Sequence, residues 1–121
     1  MSTVKLGWTF AVVFALIGLL GFVPNPIVGP EGIFATDLNH NLVHLISAAV
    51  FAFAASRGAA TTSLVMKIFG VVYLLVGVLG LAGMAPDGNL LGLMHINDAD
   101  NFLHLALGVV IGGAGFFGSK R

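Results

Sequence analysis

Long apolar stretches constrain this chain more than any other feature of its sequence. The first runs from about Leu6 to Val23 without a charged residue, and roughly 18 helical residues nearly cross a hydrocarbon core of ~30 Å. Hydrophobic residues make up 58% of the chain and charged residues 8%, whereas about a quarter of the residues in soluble domains are charged. A small soluble domain cannot bury so much apolar surface. The sequence therefore predicts a protein whose solvent is the lipid bilayer.

Three more stretches predict further membrane spans. They run from about Asn41 to Ser56, from about Leu64 to Met84 and from about Asn101 to Gly118. The small residues between Arg57 and Ser63 are expected to form the turn between spans two and three. Asn39 or Asn41 is the expected N-cap of span two. The predicted fold class is an all-α membrane protein with four transmembrane helices.

The charges are segregated among the segments that join the spans. The basic residues lie at the N-terminus, in and beside the middle turn, and at the C-terminus: Lys5, Arg57, Lys67, Lys120 and Arg121. The acidic residues lie in the two long loops: Glu31, Asp37, Asp87, Asp98 and Asp100. Four spans put these groups on opposite sides, and the positive-inside rule predicts cytoplasmic termini with the acidic loops outside. A formal net charge of zero leaves no basic footprint for nucleic acid, which is not expected as a partner.

A short motif occurs twice in the chain. Asn41-Leu42-Val43-His44-Leu45 has its counterpart in Asn101-Phe102-Leu103-His104-Leu105, and the apolar segments before the two copies also match. Each half then contains two spans joined by an acidic loop. Because each half has an even number of spans, the repeats (about residues 1–60 and 61–121) insert in the same direction, as two parallel helical hairpins. The chain is predicted to be one four-helix transmembrane domain.

These segments also resemble a known family. The features in question are the Asn-Leu-Val-His-Leu and Asp-Asn-Phe-Leu-His-Leu segments, the Gly-x-x-Gly pattern of span three and the Leu-Leu-Gly-Leu-x-x-Ile-Asn loop. Together they resemble an uncharacterised family of small bacterial four-span membrane proteins, a domain of unknown function. The resemblance covers nearly the whole chain. It implies the fold and implies no activity.

The two motif histidines share a helix face with small residues. In span two the face carries His44, Ala48 and Ala52, four positions apart, and span four repeats the pattern from His104. One interpretation is a packed helix interface, in which each histidine donates to a backbone carbonyl or a neighbouring Asn. The residues assigned to helix packing are Asn41, Asn101, Ala48, Ala52, Gly108 and Gly112.

Two other interpretations give the histidines a ligand. His44 and His104, at equal depth, can be axial ligands of a tetrapyrrole, either a chlorophyll-type ring or haem. Haem is the less favoured cofactor, because the outer loops contain no Lys or Arg to pair with its propionates. The other is an outer-face cation site, since imidazoles and carboxylates suit divalent metals. Its ligands would be His40, His95, Asp37 and Asp98.

The spans contain little that could carry catalysis. No Asp, Glu, Lys or Arg lies deep within them, which argues against a proton relay, an ion-coupled transporter or an intramembrane protease. Ser47, Thr9 and Tyr73 are interpreted as isolated packing hydroxyls. The chain is therefore not expected to be an enzyme.

The glycines of spans three and four indicate that these helices need protein neighbours. The favoured function is a structural or accessory subunit of a larger membrane complex or a homo-oligomer. Its partners would be the lipid bilayer and other transmembrane proteins or further copies of itself. The alternative function is a pigment- or haem-binding membrane protein that uses His44 and His104.

Overall fold

Four α-helices dominate residues 2–118, which are those that the computed structural model describes. They are α1 (Thr3–Leu20), α2 (Leu38–Arg57), α3 (Ala59–Leu81) and α4 (Asp98–Phe117). Each is long and apolar enough to cross a membrane. The prediction of an all-α, four-span, multi-pass membrane protein is confirmed. Lys120 and Arg121, which the charge pattern assigned to the cytoplasmic side, lie outside the described residues.

The two long loops each contain a pair of two-residue strands. Between α1 and α2, β1 (Val28–Gly29) pairs in parallel with β2 (Phe34–Ala35). Between α3 and α4, β3 (Asn89–Leu90) pairs antiparallel with β4 (Met94–His95). We call the end of the bundle that carries both loops the loop end.

Side chains tie the two loops to each other. Asn39 donates to the Leu93 carbonyl and Asn97 donates to the Ile33 carbonyl, both at 2.9 Å. These hydrogen bonds join positions more than fifty residues apart in the chain. They hold the starts of α2 and α4 beside each other at the loop end.

Helix α2 begins three residues before the predicted start. Asp37 is its N-cap, and the Asp37 Oδ1 accepts the backbone N–H of His40 at 2.9 Å. The predicted caps at Asn39 or Asn41 are therefore wrong, because both residues lie inside the helix. The earlier start moves His40 from the loop into the first turn, where it lies one turn before His44.

Helix α4 also begins three residues before the predicted Asn101. Asn97 is its N-cap and forms a capping box with Asp100. The Asn97 Oδ1 accepts the backbone N–H of Asp100, and the Asp100 Oδ2 accepts the backbone N–H of Asn97, both at 3.0 Å. This reciprocal pair fixes where the helix starts.

A single residue, Gly58, forms the turn between α2 and α3. Its φ of 110° lies in a region that residues with a Cβ rarely adopt. The predicted turn from Arg57 to Ser63 is therefore too long. Thr62 already belongs to α3, and both its backbone N–H and its hydroxyl bond the Gly58 carbonyl, at 3.1 and 2.7 Å.

The helices pack chiefly as two pairs, α1 with α2 and α3 with α4. The buried core contains Phe10, Phe14, Phe51, Met66, Tyr73 and Ile111. Ala48 is buried in this core and Ala52 packs against it. Gly108 and Gly112 lie where α4 approaches the backbone of α3 most closely, next to Leu74 and Gly70 respectively.

The two motif asparagines occupy equivalent places in the two helix pairs. Asn41 is buried against Gly21 and donates to the Gly21 carbonyl at 3.1 Å. Asn101 is buried against Gly80. In both places a Cβ on the glycine would overlap the asparagine side chain. Each asparagine therefore lies in a notch that only glycine leaves open.

Candidate functional site

Three histidine side chains meet near the loop end of the bundle, and we call them the three-histidine cluster. His40, His44 and His104 each offer one ring nitrogen, and these three nitrogens lie within 4.8 Å of one another. The ring centroids are 4.6 Å apart for His40 and His44, 5.5 Å for His40 and His104, and 6.4 Å for His44 and His104. All three side chains are buried, with at most 3% of their surface exposed.

The helix starts explain how the cluster forms. Because Asp37 is the N-cap, both His40 and His44 lie within α2. They are four positions apart, so they share one face of this helix. His104 comes from the equivalent position of the second repeat, on α4. The counterpart of His40 in that repeat is Asp100, which completes the capping box instead of entering the cluster. His40 is thus the cluster histidine that has no histidine counterpart in the second repeat.

A backbone carbonyl orients the His40 ring. His40 Nδ1 donates to the His95 carbonyl oxygen at 2.8 Å, and because a carbonyl only accepts, Nδ1 carries the proton. In the neutral ring, Nε2 then has a free lone pair. Histidines that bind metals are commonly held in this way, with the second ring N–H donated to a carbonyl or carboxylate.

One ring nitrogen of each histidine is buried and has no hydrogen-bond partner among the described residues. These atoms are His40 Nε2, His44 Nδ1 and His104 Nδ1. The large majority of buried side-chain polar atoms in proteins are hydrogen-bonded, so three unpaired nitrogens within one cluster require an explanation. The packing interpretation expected each motif histidine to donate to a backbone carbonyl or a neighbouring Asn. The Nδ1 atoms of His44 and His104 form no such hydrogen bond with the described residues.

Two carboxylates lie within one helical turn of the cluster along the chain. Asp37 uses Oδ1 for the backbone N–H of His40 and Oδ2 for that of His95, the second at 3.1 Å. Asp100 is only 1% exposed. A buried carboxylate is costly unless a positive charge or hydrogen bonds compensate it. The backbone N–H of Asn97 donates to the Asp100 Oδ2 and supplies part of this compensation.

The structure does not gather the predicted outer-face cation set into one site. Asp98 is exposed, and both oxygens of Asp37 bind backbone N–H groups. His95 takes part through its backbone carbonyl and N–H. Only His40 of that set joins the histidine cluster. The sequence signal for the cluster is the four-residue spacing of His40 and His44, which lie three and seven residues after the N-cap Asp37.

Two cavities border the cluster. One, of about 210 Å³, lies between α2 and α3 and is lined by all three histidines. Its wall also contains Ser47 and Tyr73, whose hydroxyl oxygens lie 2.9 Å apart in a buried hydrogen bond. These two hydroxyls, interpreted from the sequence as isolated, are therefore paired. The other cavity, of about 180 Å³, lies on the loop side of His44 and is lined by Thr36 and Asp100 among others.

Comparison with known proteins identifies a family. A family model described as "Domain of unknown function (DUF4383)" matches residues 5–117. A search of curated proteins found no match. A search of solved structures also found no match.

Proposed function

The chain belongs to this family of unknown function, and from its three-histidine cluster we propose that it is a metal-binding integral membrane protein. The observation that carries the proposal is that His40, His44 and His104 each offer a ring nitrogen within 4.8 Å of the others, in side chains that each also hold a buried ring nitrogen without a partner among the described residues. The ion is a divalent transition metal, because neutral imidazole suits zinc, copper, iron and nickel. The ligands are His40, His44 and His104.

The ligand spacing is close to what such an ion needs. Zn–N bonds of 2.0–2.1 Å in tetrahedral geometry put ligand nitrogens about 3.3 Å apart. The observed limit of 4.8 Å therefore has to contract by no more than about 1.5 Å, which small side-chain rotations can provide. Three protein ligands also leave a fourth position open, as in catalytic rather than structural zinc sites.

The charges near the cluster support a cation. Three neutral histidines leave a divalent ion with its full charge in a buried setting, which is unfavourable without nearby negative charge. Asp37 supplies a carboxylate at the start of α2, the helix that carries His40 and His44. This carboxylate does not need to touch the metal to offset part of its charge.

A metal ion fits the cluster better than a tetrapyrrole does. The His40 ring lies 4.6 Å from His44 and 5.5 Å from His104, closer to each than they lie to one another. A chlorophyll-type ring or a haem held between His44 and His104 would have to displace His40. It would also break the hydrogen bond from His40 to the His95 carbonyl.

Metal stoichiometry tests this proposal. Tag-free protein is purified in detergent, stripped with a chelator, loaded with Zn²⁺ and passed through a desalting column, after which the metal is measured by mass spectrometry. We expect about one Zn²⁺ per chain for the wild type, as for a three-histidine site. The variants H40Q, H44Q and H104Q should each lose most of it.

The matched control is H95Q, since the His95 side chain is not in the cluster and its backbone bonds remain. This variant should keep its zinc. A wild type that retains no more metal than H44Q would overturn the proposal. Loss of metal in H95Q to the same extent as in H44Q would also count against it.

We also propose, as a second role, that the chain is an accessory subunit or forms a homo-oligomer. The supporting observation is the open surface of α4, where a Cβ on Gly113 would meet nothing within 4 Å and Val109 and Phe117 are 64% and 90% exposed. Glycine beside large apolar residues allows close helix contact in membranes. Light scattering of the detergent-solubilised protein tests for self-association, which Gly113→Leu should reduce. If the wild type and Gly113→Leu are both monomers, the homo-oligomer is wrong, and the accessory role then requires a different transmembrane protein as the partner.

A further inference from the structure

We propose that the open metal position accepts a lipid-soluble ligand, which enters sideways from the bilayer through the 210 Å³ cavity. This inference rests on the proposed metal site and adds its ligand class. The ligand is a neutral molecule with one nitrogen or oxygen donor on an apolar tail. The chemistry of the cavity, rather than its size alone, leads to this class.

The cavity connects the cluster to the lipid-facing surface. Three of its lining residues, Val43, Ile46 and Val72, are 38%, 61% and 47% exposed. They lie on the outer surfaces of α2 and α3, two helices that pack loosely against each other compared with the α1–α2 and α3–α4 pairs. The inner wall is formed by His40, His44 and His104. An opening of this kind faces hydrocarbon at one end and imidazoles at the other.

The lining limits what can enter. Apart from the histidines, the polar side chains of the lining are Ser47 and Tyr73, and these two hydrogen-bond each other at 2.9 Å. None of the described residues that line this cavity is Lys, Arg, Asp or Glu, so a charged ligand would have no counter-charge from them. An uncharged head with a single donor atom is what the lining can accommodate.

The volume indicates that only part of the ligand is enclosed. Drug-sized ligands occupy sites of about 300–1,000 Å³, and this cavity has about 210 Å³. The head group would therefore lie at the metal, while the tail extends past Val72 and Ile46 into lipid. The gain from the tail is hydrophobic and grows with each buried methylene.

Cobalt provides a spectroscopic test. Co²⁺ replaces Zn²⁺ in the purified protein, and its visible absorption is followed during titration with 1-octylimidazole and with 1-methylimidazole, which share a donor and differ in the tail. The wild type should respond to 1-octylimidazole at concentrations about tenfold or more below those needed for 1-methylimidazole. Detergent also concentrates the octyl compound, so a cavity variant is needed.

Val72→Phe narrows the opening, and Val71→Phe is the matched control, because Val71 is also exposed on α3 but does not line the cavity. Val72→Phe should weaken the response to 1-octylimidazole about tenfold and leave that to 1-methylimidazole unchanged. Val71→Phe should change neither. Cobalt content confirms that each variant is folded.

The outcomes separate the two proposals. If Co²⁺ binds but Val72→Phe and Val71→Phe respond to 1-octylimidazole alike, the lateral ligand site is wrong and the metal site stands. If both imidazoles act equally on the wild type, the lateral site is also wrong. If Co²⁺ does not bind in the cluster, the metal site is wrong and this inference falls with it.

Discussion

At the scale of single residues, Asp37 is the group on which the cluster geometry depends. It caps α2, and its two oxygens accept the backbone N–H groups of His40 and His95. The backbone carbonyl of His95 in turn accepts a hydrogen bond from the His40 Nδ1–H. One carboxylate thus positions both His40 and the loop residue whose carbonyl orients the His40 ring.

Replacing Asp37 with Asn should weaken metal binding without removing a ligand. Asn has a single acceptor oxygen, so its amide group would face one of the two N–H donors and break that bond. We expect zinc affinity to fall about 10- to 100-fold, as for other residues that orient a metal ligand. Competition with a chromophoric zinc chelator measures this change.

The control for Asp37→Asn is Asp98→Asn, which removes the same charge from an exposed position at the start of α4. Its zinc affinity should stay within about twofold of the wild type, because exposed charges interact weakly. Equal losses in the two variants would show that general electrostatics, and not orientation of His40, governs affinity.

The histidines also show how far the sequence could lead. His44 and His104 were predicted as a symmetry-related pair, because the repeated motif is visible without a structure. His40 was predicted as a metal ligand, but in an outer-face set with His95, Asp37 and Asp98, and the predicted caps at Asn39 or Asn41 did not place it firmly in the helix. Its approach to His104 depends on how α2 and α4 cross, which no local pattern in the sequence encodes.

At the scale of helices, the closest contact joins α3 and α4. A Cβ added to Gly70 would overlap the backbone of Gly112, and one added to Gly108 would meet the Leu74 backbone. Backbone atoms cannot move aside as the end of a flexible side chain can. This contact fixes how α4 lies in the bundle, and α4 carries His104.

Gly70→Ala should therefore destabilise the protein, while Gly113→Ala should not. Overpacking typically costs about 1–3 kcal/mol, and at Gly113 a Cβ meets nothing within 4 Å. Unfolding in mixed detergent micelles, followed by circular dichroism, measures the difference. Equal stability of the two variants would contradict the close α3–α4 contact.

The helix ends mark a second limit of the sequence. The number and type of helices were correctly predicted from apolar length, which a bilayer dictates. The starts of α2 and α4 were each placed three residues late, because Asp37 and Asn97 compete with nearby asparagines as caps. Hydropathy does not discriminate among these residues, and the choice depends on backbone geometry.

At the scale of the whole molecule, the four helices carry their large apolar side chains outwards, as a bilayer requires. Leu16, Ile46 and Val109 are each more than 60% exposed. The three histidines lie within the first two turns of α2 and α4, below the hydrogen bonds that join the two loops. The cluster therefore lies near one membrane face rather than at the bilayer centre.

The orientation in the membrane is a prediction from charge, with cytoplasmic termini and acidic loops outside. The chain has no cysteine, so single cysteines can be placed at exposed Ala60, beside the α2–α3 turn, and at exposed Asn89 in the second long loop. A membrane-impermeant maleimide applied to intact cells should label Asn89→Cys. Ala60→Cys should react only after lysis, and labelling of both from one side would contradict four spans.

The most direct test of the central claim is X-ray absorption at the zinc edge of the Zn²⁺-loaded protein. This measurement counts the imidazoles on the metal, whatever role the site has. The three-histidine cluster predicts three imidazole nitrogens at about 2.0–2.1 Å and one further light ligand. A shell of oxygens alone, or one with a single imidazole, would contradict the claim that His40, His44 and His104 bind one ion.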